Sequence, residues 1–196
     1  MFFPEELVLE DERVLLRPLQ TEDLNFLLTF SEQEPELWKY SAVSAAGKEG
    51  MKNYINGAVL ERELKKEYPF IIFDKKANEY SGSSRFYDIN LPFQSTQLGY
   101  TWYGKKFQRS GLNRHCKWLM LNYAFEQWGM VRVEFRADHR NDRSIQAMKN
   151  IGCTAEGILR NNMPLPDGSR RSSIVLSILK DEWDESVKSS LQKKIC

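Results

Sequence analysis

The sequence predicts an α/β (α+β) domain: a mixed, mostly antiparallel, twisted sheet of about seven strands flanked by helices. Three observations lead there. The strand-like runs 70–74, 83–89 and 98–103 follow one another with only turns between them, the pattern of an antiparallel meander. The run 98–103 is then separated from a strictly alternating run, 131–137, by a long apolar helical pattern. Those two strands are therefore expected to lie parallel, joined by a right-handed crossover. The chain closes on two more runs, 156–162 and 170–179, around the turn residues Pro166-Asp167-Gly168, which read as a terminal hairpin.

Taken in order, residues 14–17 read as a short strand stopped by Pro18. Thr21 is expected to cap a helix over 22–31 with Leu24, Leu27 and Leu28 on one face. A second helix is expected over 47–66, with Met51, Ile55, Ala58 and Val59 at helical spacing. Phe70-Ile71-Ile72-Phe73-Asp74 reads as a buried strand, and Asn78-Glu79 and Asn90-Leu91-Pro92 as turns. The helix over 112–128 is apolar on nearly every side, which places it centrally, and Gly129 is a natural end for it. A shorter helix runs from Asn141, its expected N-cap, to Ile151, with Ile145, Met148 and Ile151 inward and Gly152 at its end. Residues 181–194 read as a polar helical tail. No repeat, low-complexity stretch or linker interrupts this order, so 1–196 is expected to be a single domain.

Composition narrows the function classes. With 41% hydrophobic and 28% charged residues, the chain has an ordinary globular balance. Its 28 Lys+Arg stand against 27 Asp+Glu, without the basic excess of a nucleic-acid binder. No apolar run approaches the roughly 20 residues of a membrane helix. Met1–Glu6 lacks the basic and apolar regions of a secretory signal, so a cytoplasmic protein is expected. Cys116, Cys153 and Cys196 have no metal-ligand spacing and read as free thiols in a reducing compartment, and no metal is expected. His115 adjoins Cys116, but helix neighbours point about 100° apart and do not form a catalytic pair.

The charge is unevenly placed. Between Asp88 and Glu126 there is no acidic residue, yet Lys105, Lys106, Arg109, Arg114 and Lys117 fall there, in a chain whose net charge is +1. They surround the loop Gln108-Arg109-Ser110-Gly111-Leu112-Asn113-Arg114, where a strand ends and a helix begins. A helix start presents unpaired N–H groups and partial positive charge, and glycine lets backbone approach a ligand closely. Together these predict a phosphate site at the carboxyl end of a strand, for a phosphorylated cofactor. A nucleotide-binding phosphate loop is the weaker form of this reading, because no Gly-Lys-Ser/Thr follows and no acidic metal ligand is near.

Set in sequence, these pieces resemble the GCN5-related N-acetyltransferases (the GNAT superfamily), and within it the RimJ/RimL-type branch that acetylates ribosomal-protein N-termini. The carriers are Leu98-Gly99-Tyr100-Thr101-Trp102, then Gln108-x-x-Gly111-x-Asn113, then Tyr123-Ala124-Phe125-Glu126. Val131–Phe135, Asn141-x-x-Ser144, Gly152, Glu156-Gly157-x-Leu159-Arg160, Asp167-Gly168 and Glu182-Trp183 follow in the family's order. The resemblance spans about residues 13–183 as core, with 184–196 as a tail. Asn113 departs from the Gly or Ala usual at that position. Its amide is expected to donate to a phosphate oxygen or cap the helix.

The resemblance implies acetyl-CoA as co-substrate and a sheet with a splayed parallel strand pair at the cofactor site. The pyrophosphate would sit on the backbone of Gln108, Arg109, Ser110, Gly111, Leu112, Asn113 and Arg114. The pantetheine arm would pair with the edge formed by Thr101, Trp102 and Tyr103, and Asn141 would reach the arm. A primary amine, of a small molecule or a protein N-terminus, would attack the thioester directly, and a homodimer is one assembly the family allows. The proton chemistry is less defined. Met148 and Met163 stand where relatives place a Tyr acid and a Glu base. Ser144 matches a proposed proton donor, with a helix-surface serine as the alternative, and Asp88, Glu134, His139 and Tyr87 are other candidate bases. A non-catalytic acyl-CoA-binding protein on the same fold is the competing reading. The helices over 22–31 and 47–66 are expected to wall the acceptor pocket, with the turn 162–170 at its rim. The acidic stretch Ser31-Glu32-Gln33-Glu34-Pro35-Glu36 reads as a solvated charge run or as an attractor for a cationic amine.

Overall fold

The computed structural model describes residues 3–41, 43–165 and 168–195. Pro166 and Asp167, which the hairpin turn was expected to use, and Cys196 lie outside the described residues. Eight strands form one sheet: β1 Leu9–Glu10, β2 Val14–Pro18, β3 Tyr68–Asp74, β4 Glu79–Asn90, β5 Ser95–Tyr103, β6 Arg132–Asp138, β7 Thr154–Pro164 and β8 Arg170–Leu179. They lie in the order β1-β2-β3-β4-β5-β6-β8-β7. Every neighbouring pair is antiparallel except β5 and β6. The strand beyond the seven expected is the two-residue β1, too short to carry a period-2 signal.

The helices are α1 Leu24–Gln33, α2 Gly47–Glu63, α3 Leu112–Asn122, α4 Asp142–Asn150, α5 Lys180–Glu182 and α6 Lys188–Gln192. Thr21 does not cap the first. A 3-10 turn, Thr21–Asp23, precedes α1, and Asp23 closes it by accepting the Gln20 N–H at 2.9 Å. Burial explains why Asp23 takes the role. It is 2% exposed, and Arg17 binds both its oxygens, so the carboxylate is held at the turn. The second helix stops at Glu63, three residues short of expectation, because Lys65 takes a positive φ of 58°. The long helix is α only to Asn122; Tyr123–Gln127 form a π turn, and Gly129 ends it at φ 68°. Asn141 caps α4 as expected, accepting the Ser144 N–H at 3.1 Å.

Alternation along β4 and β5 sorts the helices between two faces. Trp102 packs against Phe30 of α1 and Trp38, while Thr101 and Tyr103 contact Lys117 and Asn113 of α3. Arg85 of β4 stacks on Tyr54 of α2, while Phe86 meets Tyr123 and Trp128 beyond α3. So α1 and α2 cover one face and α3 the other. No helix among the described residues is long and apolar enough to cross a membrane.

Candidate active site

The site is a break in the sheet. On its β4 side, β5 pairs Gly82 with Tyr103 and Ser83 with Trp102, then Arg85 with Gly99. One β4 residue therefore faces two of β5, a bulge in which Tyr100 takes φ 49°. On its other side, β5 pairs with β6 only through Ser95–Arg132, Thr96–Val133 and Gln97–Glu134. Beyond these pairs β6 continues against β8 as far as Asp138, but β5 has no strand partner on that edge among the described residues. From Leu98 to Tyr103 the β5 backbone thus borders a gap between two parallel strands with no β6 ladder to fill it, an edge for a peptide-like ligand, although side chains of Tyr54 and Gln108 take the Tyr100 and Tyr103 carbonyls. Thr101, Trp102 and Tyr103 all lie along it.

The loop follows directly. Gly111 is the N-cap residue of α3 at φ 89°, and a Cβ there would meet nothing within 4 Å. The N–H groups of Arg109, Ser110, Gly111 and Asn113 make no turn or cap bond among the described residues. The loop is braced from within. Gln108 Nε2 donates to the Tyr103 carbonyl at 2.9 Å, Ser110 Oγ to the Phe107 carbonyl at 2.7 Å, and Leu112 is buried beneath. The Asn113 side-chain oxygen accepts from the Tyr103 hydroxyl at 3.2 Å, holding α3 to β5 and leaving the NH2 group out of that bond.

The positive charge is smaller than the residue count implies. Lys105 is paired with Glu36 and Lys106 with Glu79. Glu34 also accepts the Lys105 backbone N–H at 2.8 Å. At these two positions the acidic stretch also meets the loop, with Glu36 remaining exposed as a solvated charge. Arg109 and Arg114 remain exposed without an ion pair among the described residues. Arg143 of α4, which sequence reasoning missed, joins them, donating to Gln108 Oε1 at 2.6 Å. Its signal, a basic residue two positions after an N-cap, is too common to single out.

Across the gap stands the start of α4. Asn141 spends its side-chain oxygen on the cap and keeps its NH2 group. Ser144 lies on the first turn, half-buried, and its Oγ makes no hydrogen bond among the described residues. The candidate bases fare differently. Burial pushes the Tyr87 phenol well above its ordinary value, which removes it as a base near neutral pH. Glu134 is held by Arg132 at 2.8 Å and Arg136 at 2.7 Å, and Asp88 accepts from Gln97 at 2.7 Å. His139 is exposed and lies beside the Ser172 carbonyl at 3.2 Å. No carboxylate is brought into the gap by these residues. Tyr54, Arg85, Tyr87 and Tyr100 cluster instead on the α2 face, where Arg85 lies 4.1 Å from the Tyr100 ring centre.

A bulged strand parting from a parallel neighbour, with open amides at the next helix start, agrees with what the sequence comparisons find. The family model described as Acetyltransferase (GNAT) domain matches residues 13–154.

The chain belongs to the GNAT acetyltransferase family.

A solved structure of a provisionally assigned acetyltransferase from T. thermophilus is similar to this GNAT chain, with a TM-score of 0.88 and 31% identity, covering 100% of each. YjcK of Bacillus subtilis (strain 168), a probable N-acetyltransferase, is 25% identical over 91% of this chain and 100% of its own length. A ribosomal-protein alanine acetyltransferase from Vibrio fischeri superposes with a TM-score of 0.73 at 19% identity, over 90% of this chain and 98% of that one, a likeness of fold. This GNAT enzyme is thus an acetyltransferase.

Two further features flank the site. Asp11, Glu12 and His115 bring one potential ligand atom each to within 4.8 Å of one another. Asp11 is already committed, accepting the Arg13 and Val14 N–H groups at 2.9 Å and pairing with His115 at 2.8 Å, so the cluster ties β1–β2 to α3. An open depression of about 450 Å³ is lined by Arg13, Asp74, Glu79, Lys106 and Ser110, among others. It lies by the β3–β4 turn, and Thr101, Trp102 and Asn141 take no part in it.

Proposed function

We propose that this GNAT enzyme transfers an acetyl group from acetyl-CoA to a primary amine by direct attack of the amine on the thioester, with residues 1–196 acting as one catalytic unit. The observation that carries the reading is the continuity of two unsatisfied backbone surfaces. The open edge Leu98–Tyr103 runs straight into the free N–H groups of Arg109, Ser110, Gly111 and Asn113. The first suits an arm containing two amides, the second a pyrophosphate at a helix start. Open space above Gly111 and the unpaired Arg109 and Arg114 fit the same group.

In this reading the backbone of Gln108–Arg114 holds the pyrophosphate, Thr101, Trp102 and Tyr103 pair with the arm, and the Asn141 NH2 group donates to it from α4. Bound there, acetyl-CoA supplies a thioester as the acyl donor. A backbone N–H at the β5 bulge polarises its carbonyl, and Ser144 hydrogen-bonds the sulfur. The acceptor amine approaches from the α1–α2 face, between Tyr54, Tyr87 and Tyr100. The amine loses its proton to water, since the nearby carboxylates are engaged with Arg or Gln partners. Holding both reactants in one cleft supplies much of the rate.

A thermal-shift comparison of acetyl-CoA against ATP with Mg2+ tests the donor. Acetyl-CoA at about 100 times its Kd should stabilise the fold by about 2.7 kcal/mol. Stabilisation by ATP alone would overturn the reading. Thiol release across a panel of primary amines and basic N-terminal peptides then identifies the acceptor class, and absence of turnover with all of them would overturn amine acetylation.

A further inference from the structure

Lys117 lies in the second turn of α3. It is 4% exposed. Its Nζ donates to Thr101 Oγ1 at 2.7 Å and to Ser84 Oγ at 3.2 Å, and lies 6.0 Å from the ring centre of Phe135. Ser84 is on β4, Thr101 on β5 and Phe135 on β6, so the amine lies on the α3 face over β5, beside the edge where β6 parts from it.

No carboxylate pairs with Lys117 among the described residues. Burial of an unpaired ammonium is costly, and it drives the Lys117 pKa from 10.5 down to about 7. The elements packed around it bring no anion at neutral pH. β4 brings the Ser84 hydroxyl, β5 the Thr101 hydroxyl and β6 the Phe135 ring. The thiols that act on it are Cys116, pushed up to about 12 by burial, and Cys153, pushed up further by the same cause. The Tyr103 phenol beside Cys116 is also raised by burial and stays protonated.

Such a site lacks an anion, and the acyl transfer proposed above makes one there. Resting on that reading, we propose that Lys117 is a catalytic residue, the proton donor to the departing CoA thiolate. The acceptor nitrogen forms the N–C bond, the C–S bond breaks with its electron pair going to sulfur, and the proton on Lys117 Nζ moves to sulfur. The new amide nitrogen sheds one proton to water, and the neutral Lys117 takes one up from water before the next turnover. Thr101 fixes the amine in place through its hydroxyl and is a positioning residue. An acid that titrates close to neutrality is suited to giving up its proton there.

The test uses the full chain and reduced CoA itself, following the ultraviolet absorbance of the thiolate against pH in the bound state. In the wild type the bound thiol should titrate below the thiol of free CoA. In Lys117→Met it should titrate at least about one pH unit higher than in the wild type, a tenfold change in acidity. Acetyl-CoA affinity at pH 7 should stay within about threefold, because the thioester carries no charge at sulfur. Equal thiol titration in wild type and variant would overturn the assignment. The wild type decides the matter alone if the variant does not fold, because a bound thiol titrating at or above that of free CoA also overturns it. Failure of CoA to bind at all is a separate result: it removes the acyl-CoA reading, and the role of Lys117 with it.

Discussion

Gly111 stands at φ 89° with open space where a Cβ would point. The sequence marks it as a loop glycine; the structure adds a left-handed cap and open space beside it. Replacing it with Val forces a β-branched residue into that conformation and fills the space. CoA affinity should fall at least tenfold, about 1.4 kcal/mol, measured by calorimetry; unchanged affinity would mean the pyrophosphate lies elsewhere. Ser144→Ala removes one hydroxyl and no cap, because the cap bond uses the Ser144 backbone N–H. It should lower kcat about tenfold with acetyl-CoA affinity retained, consistent with one hydrogen bond made to developing charge, and a wild-type kcat would remove Ser144 from the site. Lys117 behaves oppositely in stability. Its folded pKa of about 7 lies below the ordinary 10.5, so the unfolded chain binds more protons between those values. The buried amine therefore weakens the fold fully below pH 7, and less as pH rises toward 10.5. Lys117→Met leaves Ser84 and Thr101 bonded to each other at 2.7 Å. It should raise Tm at pH 6, with the gain shrinking toward pH 10; a lower Tm at every pH would mean the amine is a structural tie.

At the scale of elements, α3 carries most of what positions the site, and its two ends were not equally readable. The start follows from local chemistry: a glycine, an exposed Arg pair and an apolar run. The far end does not. Tyr123–Gln127 widen into a π turn because partners from the C-terminal segment occupy it. Trp183 stacks on Phe125 with ring centres 5.2 Å apart, and its Nε1 donates to Glu126 at 2.7 Å. Lys188 binds the same carboxylate at 2.9 Å. Tyr123–Glu126 and Glu182-Trp183 look like two separate motifs in the sequence; in the fold they are one clasp. Trp183→Ala removes a fully buried indole and should cost about 3–5 kcal/mol in urea unfolding. A loss under about 1 kcal/mol would show the tail to be an accessory. The acidic residues after α1 make the same point, because the contacts of Glu34 and Glu36 with Lys105 appear only once the loop is placed against them.

For the whole molecule, pH reads out the ion-paired carboxylates together. Glu126 is lowered from 4.5 to about 2 by its bonds to Lys188 and Trp183. Glu156 is lowered by Arg132 and Ser177, and Asp138 by Arg140. Groups depressed in the fold contribute stability that is present above their unfolded pKa and lost as pH falls through the folded one. Denaturant stability should therefore decline from about pH 4.5 toward pH 2, and Glu126→Gln should flatten part of that decline; an unchanged slope would show that the clasp contributes no titrating stability. The sequence by itself determined the element order, the parallel crossover, the glycine start of α3 and the family, because periodicity, turn residues and helix-start chemistry are local. It placed Asn141 as a cap for the same reason. Only the tertiary structure decided where β5 and β6 part, that Lys105 and Lys106 are ion-paired, that Asn113 faces Tyr103, and that Lys117 is a buried amine beside the gap. Each of those depends on what lies across the sheet, and neither a strand's edge nor a side chain's counter-ion is written in its own neighbourhood.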